Sequence, residues 1–116
     1  MSKKKKKVNV FLAGPIAGVP NYKENFANAE KTVREKYDCF DVWNPADLPQ
    51  GANVEWYMEK CLCRLGELSE GSKHKPCIVV ALPNIGPTSG ANVEIAYAEY
   101  LGIEVVRLVD LMEQKS

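Results

Sequence analysis

The stretch CIVVALPNIGPTSGANVEIAYAEYLGIEVV, residues 77–106, contains a strand, a loop, a helix and the start of another strand. Residues 77–82 form a continuous apolar run without alternation, the pattern of a strand covered on both faces of a parallel sheet. Residues 83–90 are dense in Pro, Gly, Asn and Ser and read as a loop. Residues 91–101 read as a helix, closed by Gly102 at the position where a left-handed residue ends helices. Its expected buried stripe is Val93, Ala96, Tyr97, Tyr100 and Leu101, with Glu94 at the stripe's edge. Residues 103–109 read as the next strand. Two apolar strands joined through a helix run parallel, with a right-handed crossover.

The same alternation extends toward the N-terminus. Residues 8–13 (VNVFLA) read as a buried strand, and the Gly- and Pro-rich residues 14–21 as a loop. Residues 22–37 carry Phe26, Ala29, Val33 and Tyr37 at helical spacing. Residues 39–43 (CFDVW) read as a strand that ends at Asn44-Pro45. After a loop over 45–52, Asn53 is the expected N-cap of a helix over 53–68, with Trp56, Met58, Leu62 and Leu65 supplying apolar content. Residues 67–76 read as a polar, mobile connection, and 110–116 as a last helical turn. The expected fold is therefore α/β: a Rossmann-like or flavodoxin-like parallel sheet of four to five strands, with helices on both faces. The loops after the first and third strands then lie at its carboxyl edge, where such folds bind ligands.

A chain of 116 residues is sized for one domain, and 46% hydrophobic with 26% charged residues is an ordinary globular balance. Fifteen basic and fifteen acidic residues cancel, so no overall field favours nucleic acid or a membrane. Locally, Lys3 to Lys7 form a run of five lysines. It reads as a disordered, solvated tail over residues 1–7, ahead of a single domain over 8–116; a weak nucleic-acid or anionic-surface contact is its alternative. Cys39 and Cys77 sit in apolar runs, where the thiol packs as a small hydrophobe. Cys61 and Cys63 form a C-x-C that is not a zinc spacing, and His74 is the sole histidine, so no metal and no other cofactor is expected. The basic start, followed by about six strand-like residues, is not a signal peptide, and a reducing cytoplasm is the default location.

Both carboxyl-edge loops lead into helices, whose N-termini offer free amides and a positive dipole end. Thr88, Ser89 and Gly90 thus suit an anion such as phosphate, while the local alternative is that Thr88 or Ser89 simply caps the helix. The first loop is neither a Walker A loop nor the dinucleotide fingerprint. Glu94, one turn past the glycine, either complements the helix dipole or faces the carboxyl edge. At that edge a carboxylate can attack a sugar carbon or orient a ribose hydroxyl.

Five segments together resemble the nucleoside 2-deoxyribosyltransferase superfamily: VFLAGPIAG, WNPADL, EWYMEKCLCRL, IVVALPN and TSGANVEIAYAEYLGIEV. The likeness spans residues 8–106 and is nearest to a small branch common in bacteriophages and their hosts. Its most specific part is the last segment, small-x-Gly-x-x-x-Glu followed by a helix ending in Leu-Gly-Ile. The resemblance implies a homodimer or larger assembly that cleaves the N-glycosidic bond of 2′-deoxynucleosides or their 5′-monophosphates. It implies Glu94 as the nucleophile on the anomeric carbon, with water giving hydrolysis and a second base giving transfer. The implied phosphate-gripping positions are Thr88, Gly90 and the first-loop segment with Gly14, Pro15, Ile16 and Gly18; Ser89 and Asn92 of the same turn are further binding candidates. The chain departs from the family pattern on the middle helix, where Cys61 stands in place of an Asp that positions or protonates the substrate. Cys77 likewise stands where a second Asp often opens the third strand. Tyr22, Asp47, Tyr57 and Glu59 are auxiliary candidates, with structural or surface roles as their alternatives; Glu55 is a further carboxylate on the middle helix. The expected partner is a small nucleotide or nucleoside, and the competing function is a nucleotide binder without turnover. A third, an interaction protein working through the lysine tail, has only that tail in its favour.

Overall fold

A computed structural model describes residues 7–49, 51–71 and 76–113. The lysine tail and His74 fall on residues 1–6 and 72–75, outside the described residues, apart from Lys7. The elements are β1 (Lys7–Ala13), α1 (Tyr22–Lys36), β2 (Asp38–Trp43), α2 (Val54–Gly71), β3 (Cys77–Ala81), α3 (Ala91–Tyr100), β4 (Glu104–Arg107) and α4 (Leu108–Glu113), with a 3-10 turn at Pro45–Asp47. The four strands form one parallel sheet in the order β2-β1-β3-β4. Chain direction across the sheet reverses between β1 and β3, which makes their carboxyl ends the topological switch point.

Two apolar layers cover the sheet. On one face Val8, Val10, Leu12, Ile78 and Val80 pack with Phe26, Ala29 and Val33 of α1 and with Leu108 and Leu111 of α4. On the other, Phe11, Ala13 and Val79 pack with Cys61, Leu65 and Leu68 of α2 and with Ala91 and Ala98 of α3. Successive strand side chains alternate between the layers, which is why β1 and β3 are apolar throughout. Both ends of the helical pattern are set by local chemistry. Asn53 Oδ1 accepts from the Trp56 amide at 2.9 Å, the N-cap bond expected for α2. Gly102, with φ of +79°, closes α3: its amide donates to Glu99 and that of Ile103 to Ala98, the paired bonds of a Schellman motif.

Three expectations need correction. The polar stretch after Leu68 is not connection from residue 67 onward, because α2 continues to Gly71; Glu67 and Glu70 are good helix formers on an exposed face. The last strand stops at Arg107, where Arg107 and Asp110 pair through two bonds of 3.0 and 3.1 Å across the first turn of α4. Most consequentially, α3 is rotated from the expected stripe. Ala91, Glu94 and Ala98 are its buried residues, while Val93 and Tyr100 are 52% and 84% exposed and Ala96 is also exposed.

Candidate functional site

The two expected loops leave the sheet side by side. Ala13 pairs with Ala81, and the Leu82 amide extends that ladder by donating to the Ala13 carbonyl at 2.8 Å. In the first loop the Val19 amide closes a turn onto Ile16, with Gly18 at φ of +78°. Ile16 packs against the α1 layer and Pro15 is half-buried. In the second loop the Ser89 amide donates to the Gly86 carbonyl, and Asn92 Nδ2 donates to the same carbonyl at 2.7 Å. Asn92 therefore braces the loop. Ser89 Oγ accepts from the Ala91 amide at 3.3 Å, so this hydroxyl serves the helix start, while Thr88 is exposed.

At two of the glycines an added Cβ would meet other side chains. A Cβ at Gly14 would lie 2.8 Å from Leu82 Cβ and 3.2 Å from Phe26 Cζ. One at Gly90 would lie 2.7 Å from Met58 Sδ, so the missing side chain lets α2 close over the start of α3. Protein atoms, rather than open space for a ligand, occupy those positions.

From this seat the two helices run side by side in the same direction. A Gly90 Cβ would meet Met58, Cys61 is the α2 group that acts on the Glu94 carboxyl one turn on, and the Tyr97 hydroxyl lies 3.7 Å from where a Gly66 Cβ would stand. Glu94 is 7% exposed, and it and Asn44 are the buried polar side chains among the described residues. Asn44 is satisfied, donating to Glu30 and accepting from the Ala46 amide. Glu94 has no cation acting on it among the described residues. Burial pushes its carboxyl up to about 7, and the bond from Cys61 opposes that only in part. Cys61, itself buried, is pushed up to about 12 by burial and by the Glu94 charge.

The auxiliary candidates separate. Tyr57 donates to the Pro49 carbonyl, and Glu59 and Glu55 are exposed on α2. Tyr22 packs with the α1 layer, across the sheet from Glu94. Asp47 lines a shallow groove with Glu30, Lys31 and Arg34 of α1, which does not include Glu94. From the sequence, Met58 counted only as apolar content of α2, not as the residue packed over Gly90. Met58 belongs to the stripe Met58, Cys61, Leu65, Leu68, whose helical spacing could have placed it opposite Gly90.

No group of His, Cys, Asp and Glu among the described residues is placed to hold a metal ion. No helix of the described residues is long and apolar enough to cross a membrane. No curated protein and no solved structure matches the chain. A family model described as Domain of unknown function (DUF4406) matches residues 8–107, nearly all of the fold described above, and the chain belongs to that family.

Proposed function

We propose that the protein cleaves the N-glycosidic bond of a 2′-deoxynucleoside 5′-monophosphate, by hydrolysis or deoxyribosyl transfer, with Glu94 as nucleophile. The observation that carries this reading is a desolvated carboxylate one turn from the loop at the sheet's switch point, with no cation to offset its charge. Such a group is a cost to stability, and perturbed carboxylates in that position mark sites of chemistry. The α3 N-terminus with the Thr88 hydroxyl suits the 5′-phosphate.

In the reaction a Glu94 oxygen forms a bond to C1′ as the C1′–N bond breaks. The base departs with the electron pair and takes a proton from water; the hydroxide formed adds to C1′ and frees Glu94. Substrate plus one water thus gives free base and 2-deoxyribose 5-phosphate, and a second base in place of water gives transfer. Because the attacking carboxylate must be ionised, turnover rises with pH through about 7. The homodimer implied by the resemblance has a candidate surface in exposed Val93 and Tyr100.

One observation favours a second reading, a nucleotide binder without turnover. The group facing Glu94 from α2 is a thiol held near 12, which supplies no proton to a leaving base at neutral pH. Incubation with a panel of deoxynucleoside monophosphates, followed by assay of free base, separates the two. Base release that falls by about 10⁴-fold in Glu94→Ala is the expected result. Tight binding without base release, retained in Glu94→Gln, would establish the binder instead.

A further inference from the structure

We propose that Asn84 is the residue that reads the base of the bound nucleotide, its side-chain carboxamide pairing with one donor and one acceptor on the edge of the heterocycle. On the nucleotide reading above, on which this rests, the phosphate and the sugar carbon have partners and the base has none.

Backbone geometry singles Asn84 out. With φ of +68° it is the one non-glycine in the left-handed region among the described residues; Gly18, Gly51 and Gly102 hold the other such positions. An L side chain there carries a backbone cost that glycine avoids, and asparagine commonly offsets it by a local hydrogen bond from its own amide. Asn84 makes no such bond: the residue is exposed, and its carboxamide has no hydrogen-bond partner among the described residues. Its place is the mouth of the switch point. Two residues earlier the Leu82 amide joins the root of the second loop to Ala13, and two residues later the Gly86 carbonyl takes the bonds from Ser89 and Asn92 that brace the start of α3.

The neighbouring polar side chains are already engaged. Asn21 Nδ2 donates to Asn25 Oδ1 at 3.5 Å, Ser89 Oγ accepts from the Ala91 amide, and Asn92 holds Gly86. The parts of a nucleotide then sort by chemistry. The phosphate, which only accepts, suits the α3 amides and the Thr88 hydroxyl, and the anomeric carbon suits Glu94. A base presents donors and acceptors side by side and suits a group that offers both. Asn84 is the carboxamide of these loops still able to do so.

Glycine at residue 84 keeps the left-handed backbone and deletes the carboxamide, which separates reading the base from turning the chain. Dissociation constants of the full chain for the 5′-monophosphates of deoxyadenosine, deoxyguanosine, deoxycytidine and thymidine are measured by calorimetry at pH 5, where the protonated Glu94 carboxyl does not attack. The wild type is expected to prefer one base. Asn84→Gly is expected to unfold at the wild-type urea midpoint or above it, and to bind the preferred nucleotide about tenfold more weakly. Its affinities for the four should then lie within about threefold of one another. Asn84→Asp tolerates the same φ and keeps the shape but has no donor, and it should lose the same preference. If Asn84→Gly does not fold, Asn84→Asp makes the comparison alone. An unchanged preference in the variants, equal weakening for all four nucleotides, or no base preference in the wild type would overturn the role of Asn84 and leave the nucleotide reading in place. Failure of the wild type to bind any of the four refutes the nucleotide reading itself, and the role of Asn84 with it.

Discussion

Replacing Glu94 with glutamine keeps the side chain's shape and its acceptor for the Cys61 thiol while removing the proton equilibrium. In the wild type the folded carboxyl titrates near 7, against an ordinary value of 4.5 once the chain unfolds into water. Between those two pH values the unfolded chain has released the proton and the folded chain still holds it. Rising pH therefore favours unfolding. The stabilisation is fully present below 4.5 and is lost as pH climbs through 7. A displacement of that size corresponds to about 3 kcal/mol, with a steepest slope of about 1.4 kcal/mol per pH unit. Urea unfolding at half-unit steps from pH 4 to pH 8 measures it, taken as the difference between wild type and Glu94→Gln. Carboxylates distant from Glu94 titrate alike in both proteins and cancel in that difference. The expected outcome is a difference that moves by about 3 kcal/mol in favour of the glutamine variant as pH rises. A difference flat to within about 0.5 kcal/mol would refute the claim that Glu94 is desolvated in the folded state.

Other outcomes follow from the same geometry. The rate of base release should rise with pH and level off above about 7, as the Glu94 carboxyl ionises; a rate–pH profile that falls over this interval would assign Glu94 the acid's part. Gly90→Ala should cost less than Gly14→Ala in urea unfolding, because the atom its Cβ would meet at 2.7 Å, Met58 Sδ, lies on a flexible side chain that can turn aside. Gly14→Ala should cost about 1–3 kcal/mol, since the Leu82 Cβ that stands 2.8 Å away is close to the backbone and cannot swing aside. Gly102→Ala should cost about 1–2 kcal/mol from its φ of +79° alone, because its Cβ would enter open space; thermal unfolding reads both.

The order of elements was legible because β1 and β3 are short apolar runs, and because Asn53 marks a helix start and Gly102 a helix stop. The rotation of α3 was not. Eight of its residues from Ala91 to Leu101 are apolar, so periodicity selects no single face. The bulky stripe of Val93, Tyr97 and Tyr100 is the better hydrophobic face by composition, yet Ala91 and Ala98 turn inward. Small side chains let a short helix lie close to the sheet, and tertiary fit overrode the hydrophobic ranking. The same rotation moved Glu94 from the edge of the stripe to its centre. Polarity misled in the opposite way at Glu67 and Glu70, which are polar because they face water on a helix, not because the helix has ended.

Gly90 connects the packing of the two helices to the chemistry proposed for Glu94. Read from sequence, it is the small residue of a phosphate turn. In the fold its bare Cα lets Met58 settle over the start of α3, and that close approach continues one turn on to Cys61 and Glu94. Exclusion of water along this seam raises the Glu94 carboxyl toward neutrality, where a small change in its surroundings has the largest effect on its charge at physiological pH. A methyl group at residue 90 tests this: by turning the Met58 side chain out of the seam it admits water, and the Glu94 midpoint falls toward 4.5. That coupling ties a glycine with no chemistry of its own to the ionisation on which the proposed nucleophile depends. An unchanged midpoint in Gly90→Ala would mean that the sheet, not α2, desolvates Glu94.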